Sequence, residues 1–267
     1  MTAPSRRELA AAFLALLLLG AALFGPQVAD GGFYWDDWQN SANVHVAGGD
    51  PGLFSSLDRG TLRPVFGYRP VLTLLLVVEH WGLGQDKHLH LAMAVLFGVL
   101  TAWALYLLLR TVGLPRLYAG LAAALLLAFP WADSTRMWAT ASFDTLAVAL
   151  YLLGAVLAVR GLRAPPGRRR LGLVVSSLVL YLLASWTYEV VVAAVLASVG
   201  LYLAVAPPRE ALRRLWWPDM VLVDDIMQTR AVREAEQSEL SYTRFVPRLR
   251  EDIRGRVHRT SWRQDLV

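Results

Sequence analysis

The chain has 267 residues, 56% of them hydrophobic, and a mean hydropathy of +0.43. That apolar content lies outside the range of ordinary soluble domains and marks an integral membrane protein. The formal charge of +5 is carried by arginine, with Lys87 the single lysine, and the absence of cysteine excludes disulfides, thiolate metal sites and cysteine nucleophiles.

In chain order, apolar segments occupy 9–25, 71–78, 89–109, 117–130, 143–159, 171–186 and 190–206. The first follows Arg6 and Arg7, as a signal peptide would, but no small-x-small cleavage pattern follows it. It is therefore expected to remain as an uncleaved first helix. Segment 71–78 is too short to cross a hydrocarbon core of ~30 Å at ~1.5 Å per residue. Residues 71–84 are read instead as an interfacial or re-entrant helix.

With that assignment the basic stretches fall on one side. These are Arg6 and Arg7, Arg110 to Arg116, "RGLRAPPGRRR" (160–170) and "PPREALRR" (207–214). The positive-inside rule puts them in the cytoplasm. The acidic and aromatic loops 26–88, 130–144 and 185–189 then lie outside. The expected fold is an all-α, polytopic membrane helix bundle of about six spans plus the interfacial helix, with both termini cytoplasmic. The domain reading is a transmembrane domain over 1–212 and a charged cytoplasmic tail over 213–267. Trp216 and Trp217 are expected as an interfacial anchor, and 219–243 as a surface helix broken before Pro247.

Arginines clustered at span ends orient the chain and give no indication of nucleic-acid binding. The outer side carries the residues with chemical potential. Its first loop, 26–88, includes "YWDDWQN" and holds Asp36, Asp37, Arg69, His80 and His88, with His90 just beyond its end. The second adds Asp133, Arg136 and Asp144, and the third adds Glu189. Taken singly, each has a structural reading. The acid pair can cap a helix, the flanking Trp35 and Trp38 can anchor at the interface, and Glu189 can reach water from a helix end. His88 and His90 lack the i, i+4 spacing of a helical metal site, so no histidine metal centre is expected. Asp36 or Asp37 with Glu189 offers oxygen ligands for a possible divalent cation.

The order of these elements resembles the GT-C superfamily of membrane glycosyltransferases, nearest to its protein O-mannosyltransferase-like branch. The elements are "YWDDWQN", "GYRPVLTLLLVVEHWGLGQDKHLHLAMAVLFG" (67–98), "MWATASFDTLAV" (137–148) and "SWTYEVVVAAVL" (185–196). They cover roughly residues 10–206. The resemblance implies an inverting transfer of a sugar from a polyprenyl-phosphate donor to a glycan or protein acceptor at the outer face. It implies Asp36 as the base, with Asp37 sharing that role or orienting the acceptor. Arg69, and after it Arg136, is implied for the lipid phosphate, with Glu189 and His90 as further substrate-binding candidates. The chain departs from the family in its fewer spans and in lacking a recognisable acceptor-binding module. A minimal enzyme, one half of a complex and a truncated product are all compatible with that departure. The rival expectations are a non-catalytic partner or scaffold of the same architecture, and a small transporter or flippase. The last calls for charges or breaks near the membrane midplane, which segments 89–109, 117–130 and 143–159 lack.

Overall fold

The computed structural model describes residues 4–45, 62–129, 137–214, 219–224 and 226–228. Asp133, Arg136, Trp216, Trp217 and most of the expected 219–243 helix lie outside these residues. The chain divides into two compact units, Met1–Asp225 and Ile226–Val267. Among the described residues it is all-helical, with no strand.

The helices are α1 (Arg6–Asp30), α2 (Trp35–His45), α3 (Leu62–Tyr68), α4 (Pro70–Leu83) and α5 (Lys87–Val112). They continue with α6 (Arg116–Ala128), α7 (Ser142–Arg163), α8 (Arg168–Thr187), α9 (Val190–Val205) and α10 (Pro208–Arg214). Their ends follow local chemistry. Ser5 caps α1 by accepting from the Glu8 N–H at 3.1 Å. Asp86 caps α5 by accepting from His88 and Leu89. That helix stops at Gly113, whose φ of 123° suits glycine best. Pro70 stands at the start of α4, where its missing N–H has no helical partner to lose.

Four helices, α1, α5, α7 and α8, are long and apolar enough to cross a membrane. Helices α6 and α9, counted as spans in the sequence, have 13 and 16 residues. At ~1.5 Å per residue they reach ~20 and ~24 Å, short of a ~30 Å core. The segment expected at the interface is an apolar α-helix of 14 residues, α4.

Helix α7 packs between α5 and α8. Lipid tails are as apolar as leucine, so close packing and polar contacts hold such helices together. Ala104 of α5 and Ala155 of α7 are fully buried in one shared cluster, and Ala102 is buried where α5 meets α1 and α6. Gly154 permits the closest approach, since a Cβ there would lie 2.7 Å from the Tyr181 ring on α8. Gly20 does the same for α1 against Val99 of α5, at 2.9 Å. Leu14, Leu18, Leu117, Leu121, Leu125 and Leu171 point outward and are exposed.

Polar contacts gather at two ends of the bundle. At the arginine-rich end, Glu8 Oε1 accepts from the Tyr106 hydroxyl at 2.9 Å and from Arg110 Nε at 2.7 Å. Its Oε2 pairs with Arg116 Nε at 2.9 Å, so one carboxylate fastens α1, α5 and α6. Arg163 donates to the Thr111 and Val112 carbonyls, joining the end of α7 to the end of α5. Further along the helices, Tyr181 of α8 and Tyr202 of α9 share a hydrogen bond of 3.0 Å, and the Tyr202 hydroxyl donates to Asp219 Oδ2 at 2.8 Å. Arg214 pairs with Asp219 at 3.0 Å and donates to Ser177 at 2.8 Å. At the other end, His88 Nδ1 meets the Val28 carbonyl at 2.8 Å, tying the start of α5 to the last turn of α1.

Two predictions follow from this packing. Gly154→Leu drives a side chain into Tyr181 and should destabilise the bundle by about 1–3 kcal/mol. Gly172→Ala, which meets nothing within 4 Å, should be neutral or slightly stabilising. Thermal unfolding in detergent compares them, and equal melting temperatures would remove the close-packing argument. Burial raises the Asp219 carboxyl from its ordinary value to about 6, against the pull of Arg214 and Tyr202. The folded state therefore holds this proton more tightly than the unfolded chain. Stability should fall as pH rises from about 4 to about 6. Asp219→Asn should flatten that slope, and an unchanged slope in the variant would assign it to other groups.

Candidate functional site

The site is built at the end of the bundle opposite the arginines. Asp37 is the third residue of α2. Its Oδ2 accepts from the backbone N–H of Tyr34, the residue just before the helix, at 3.0 Å. This is the reach-back half of a capping box. Its Oδ1 accepts from the Thr140 N–H at 2.8 Å and from the Thr140 hydroxyl at 2.5 Å. Asn40, one turn further on, donates to the same hydroxyl at 3.1 Å. Asp37 is buried, and both its oxygens are engaged, one capping α2 and the other holding it to the turn that precedes α7.

Asp36 is different. It is exposed and, among the described residues, makes no hydrogen bond or ion pair. Neighbours in sequence thus point apart, one into the protein and one to solvent. Trp35 and Trp38 beside them are 87% and 64% exposed, which suits an interfacial position.

Arg69 and Glu189 meet across 120 residues of sequence. Arg69 Nε donates to Glu189 Oε2 at 2.9 Å, and Nη2 donates to Oε1, a two-pronged pairing. The guanidinium also lies 4.1 Å from the centre of the Tyr188 ring and 5.6 Å from that of Tyr68. Burial opposes the charge on Arg69, but Glu189 outweighs it and raises the guanidinium above its ordinary value. The side chains of Arg69 and Glu189 are 20% and 44% exposed, so the pair is open to solvent on one side. Asp144, in the first turn of α7, feels the charges of both. Its Oδ1 is buried with no hydrogen-bond partner among the described residues.

His90 lies in a third group with Glu79, His80 and Phe33. Its Nδ1 is 2.9 Å from Glu79 Oε1, and its Nε2 is 3.0 Å from the Gly84 carbonyl. A carbonyl only accepts, so Nε2 carries a proton. The contact at Nδ1 needs a second, shared with Glu79. The pair, with His90 fully buried and the Glu79 side chain 7% exposed, therefore holds that proton between its two members. Burial pushes the Glu79 carboxyl up, His90 pulls it down, and the charge of Asp37 adds to the rise. The His80 ring sits against His90 at 4.5 Å between centres, and Phe33 meets His90 edge-on at 5.2 Å.

Of the residues singled out in the sequence, Arg69 and Glu189 come together, Asp37 and His90 are buried within electrostatic reach of each other, and Asp36 stands at the surface. Arg136 lies outside the described residues. Asp37 and Glu189 are engaged by different partners, and no group of three His, Asp or Glu arranged to hold a metal occurs among the described residues. Thr140, Glu79 and Tyr188 were not singled out as site residues. Glu79 had a signal, an acid in the last turns of an otherwise apolar helix. Thr140, one of several hydroxyls in the loop 130–144, had none. Comparisons with family models, with curated proteins and with solved structures find no match.

The contrast between the two aspartates is testable by stability alone. Asp37→Ala leaves three donors without their acceptor and should cost about 1–3 kcal/mol. Asp36→Asn should stay within about 0.5 kcal/mol of the parent chain. Chemical denaturation in detergent measures both. Comparable losses at the two positions would refute the division of roles.

Proposed function

We propose that this membrane protein is a GT-C-like glycosyltransferase that crosses the bilayer about six times, its arginine-rich end in the cytoplasm. It would transfer a sugar from a polyprenyl-phosphate donor to an acceptor at the opposite face of the plasma membrane. One observation carries the reading. The four elements that suggested it, far apart in sequence, are joined pairwise by Asp37 with Thr140 and by Arg69 with Glu189. Asp144, from the same element as Thr140, feels the charge of the second pair. All of them lie at the end of the bundle away from the arginine clusters.

In this reading Asp36 is the base, since it alone of the two aspartates has unengaged oxygens. It takes the proton of the acceptor hydroxyl as that oxygen bonds to the anomeric carbon. The bond from the anomeric carbon to the phosphate oxygen breaks, and its electron pair leaves with the lipid phosphate. Arg69 meets that developing charge by exchanging Glu189 for the phosphate, which presents oxygens of similar geometry. Asp37 positions α2, and His90 with Glu79 supports it from below. The rival reading, a non-catalytic partner of another transferase, is favoured by the pairing of the Arg69 fork with Glu189.

Sugar release from labelled polyprenyl-phosphate donors onto acceptors, measured in membranes, tests the reading. Asp36→Asn should lower turnover about 100-fold or more while the folded protein persists. Arg69→Gln should lower it as well. If the parent chain transfers nothing from any donor, with a candidate partner supplied, catalysis is abandoned and the partner role remains.

A further inference from the structure

At the arginine-rich end a cavity of about 590 Å³ opens between the end of α7, the start of α8 and the short helix α10. It lies at the other end of the molecule from the site above, and nothing in the proposed transfer uses it. Its polar lining is Arg170, Arg213 and Arg214 against a single acid, Glu210. Four features of this cavity point to one kind of occupant.

The first is the uncapped start of α8. Its N-cap is Gly167, which has no side chain to satisfy the N–H groups of the first turn. Those groups and the helix dipole favour an anion. Gly167 has a φ of 148°, a conformation open to glycine and to few others, and a Cβ there would enter empty space. The second is Arg214. It is only 6% exposed, yet its Nε and Nη1 have no hydrogen-bond partner among the described residues. Its Nη2 alone is used, by Ser177 and Asp219. At the cavity wall this guanidinium adds a buried positive charge that one acid and one hydroxyl leave incompletely matched.

The third is the weakness of the competing acid. Glu210 reaches Arg170 only at 3.6 Å, and Arg213 is exposed with no partner among the described residues. The fourth distinguishes a lipid from a free ion. Leu171, which lines the cavity, begins a row with Val175 and Val179 along α8. They are 63%, 50% and 48% exposed and spaced one turn apart. An apolar track running from an arginine pocket into the bilayer matches a headgroup with its acyl chain.

We propose that this cavity binds the phosphate of an anionic lipid of the cytoplasmic leaflet, with Arg170, Arg213 and Arg214 around the headgroup and the α8 row along the chain. The inference rests on the membrane assignment and on the arginine-rich end facing the cytoplasm. It does not rest on sugar transfer.

Native mass spectrometry of the full-length protein in detergent tests it, with phosphatidylglycerol, phosphatidylcholine and inorganic phosphate as separate probes. The parent chain should retain phosphatidylglycerol about tenfold better than phosphatidylcholine, and Arg170→Gln combined with Arg213→Gln should abolish that preference. Both substituted side chains reach the surface, so the fold should survive. Arg214→Gln gives a second reading, in which the preference is again lost. Equal retention of the two lipids by the parent chain, or an unchanged preference in the double variant, would overturn the proposal. Displacement of bound phosphatidylglycerol by millimolar inorganic phosphate would reassign the cavity to a free anion and remove the lipid.

Discussion

Every charge in the membrane-crossing part of this chain is held at one of two ends. Between Leu9 and Ala29, between Leu91 and Leu109, and between Thr145 and Val159 there is no ionisable acid or base other than tyrosine. The reason is the expense of charge in hydrocarbon, and the consequence is that ion pairs such as Glu8 with Arg110 and Arg69 with Glu189 form near helix ends, while hydroxyl contacts such as Thr101 with the Thr145 carbonyl and Tyr151 with Ser198 join the helices further in. Helices without a hydrophobic drive toward one another need such fastenings as well as close packing. Here the middle is packed by alanine and glycine, and the ends are fastened by carboxylates.

This segregation is why hydropathy and arginine counts disclosed so much. Apolar length located the helices that became α1, α5, α7 and α8, and it identified 71–84 as something shorter than a span. The grouping of loops by charge has a counterpart in the contacts. Glu8 with Arg110 and Arg116, Arg163 with the end of α5, and Arg170 with Glu210 link basic loops to one another. Asp37 with Thr140, and Arg69 with Glu189, link the acidic and aromatic ones. What the pattern could not supply was length in three dimensions. Helices α6 and α9 begin and end where hydropathy suggests but have too few residues to reach across a full core by themselves.

The site was legible as a list of residues and illegible as a set of pairings. Arg69 and Glu189 each stood out as an ionisable group near a helix end, and their contact spans 120 residues of sequence that no local rule bridges. The two adjacent aspartates looked alike in the sequence. A helix starting at Trp35 turns one of them inward to cap α2 and meet Thr140, and leaves the other in solvent. Side-chain direction around a helix decides this, and it depends on where the helix begins. Glu79 and Arg214 passed unnoticed for a related reason. Each is an ordinary charged residue near a boundary until its partner, His90 or Asp219, is found beside it.

The two ends also differ in how firmly their charges are held, and that difference bears on which end can do chemistry. The Glu8 side chain is 8% exposed and engages three partners, so losing the carboxylate would leave Arg110, 10% exposed, without its acid. Such a group is a rivet. Arg69 and Glu189 are exposed on one side, and an exposed pair of this kind is weak in net free energy. The aromatic rings of Tyr68 and Tyr188 lie beside the guanidinium and add to its hold. Access to solvent on one side, with aromatic rings beside the guanidinium, distinguishes this pair from the Glu8 cluster, whose carboxylate is enclosed by its partners.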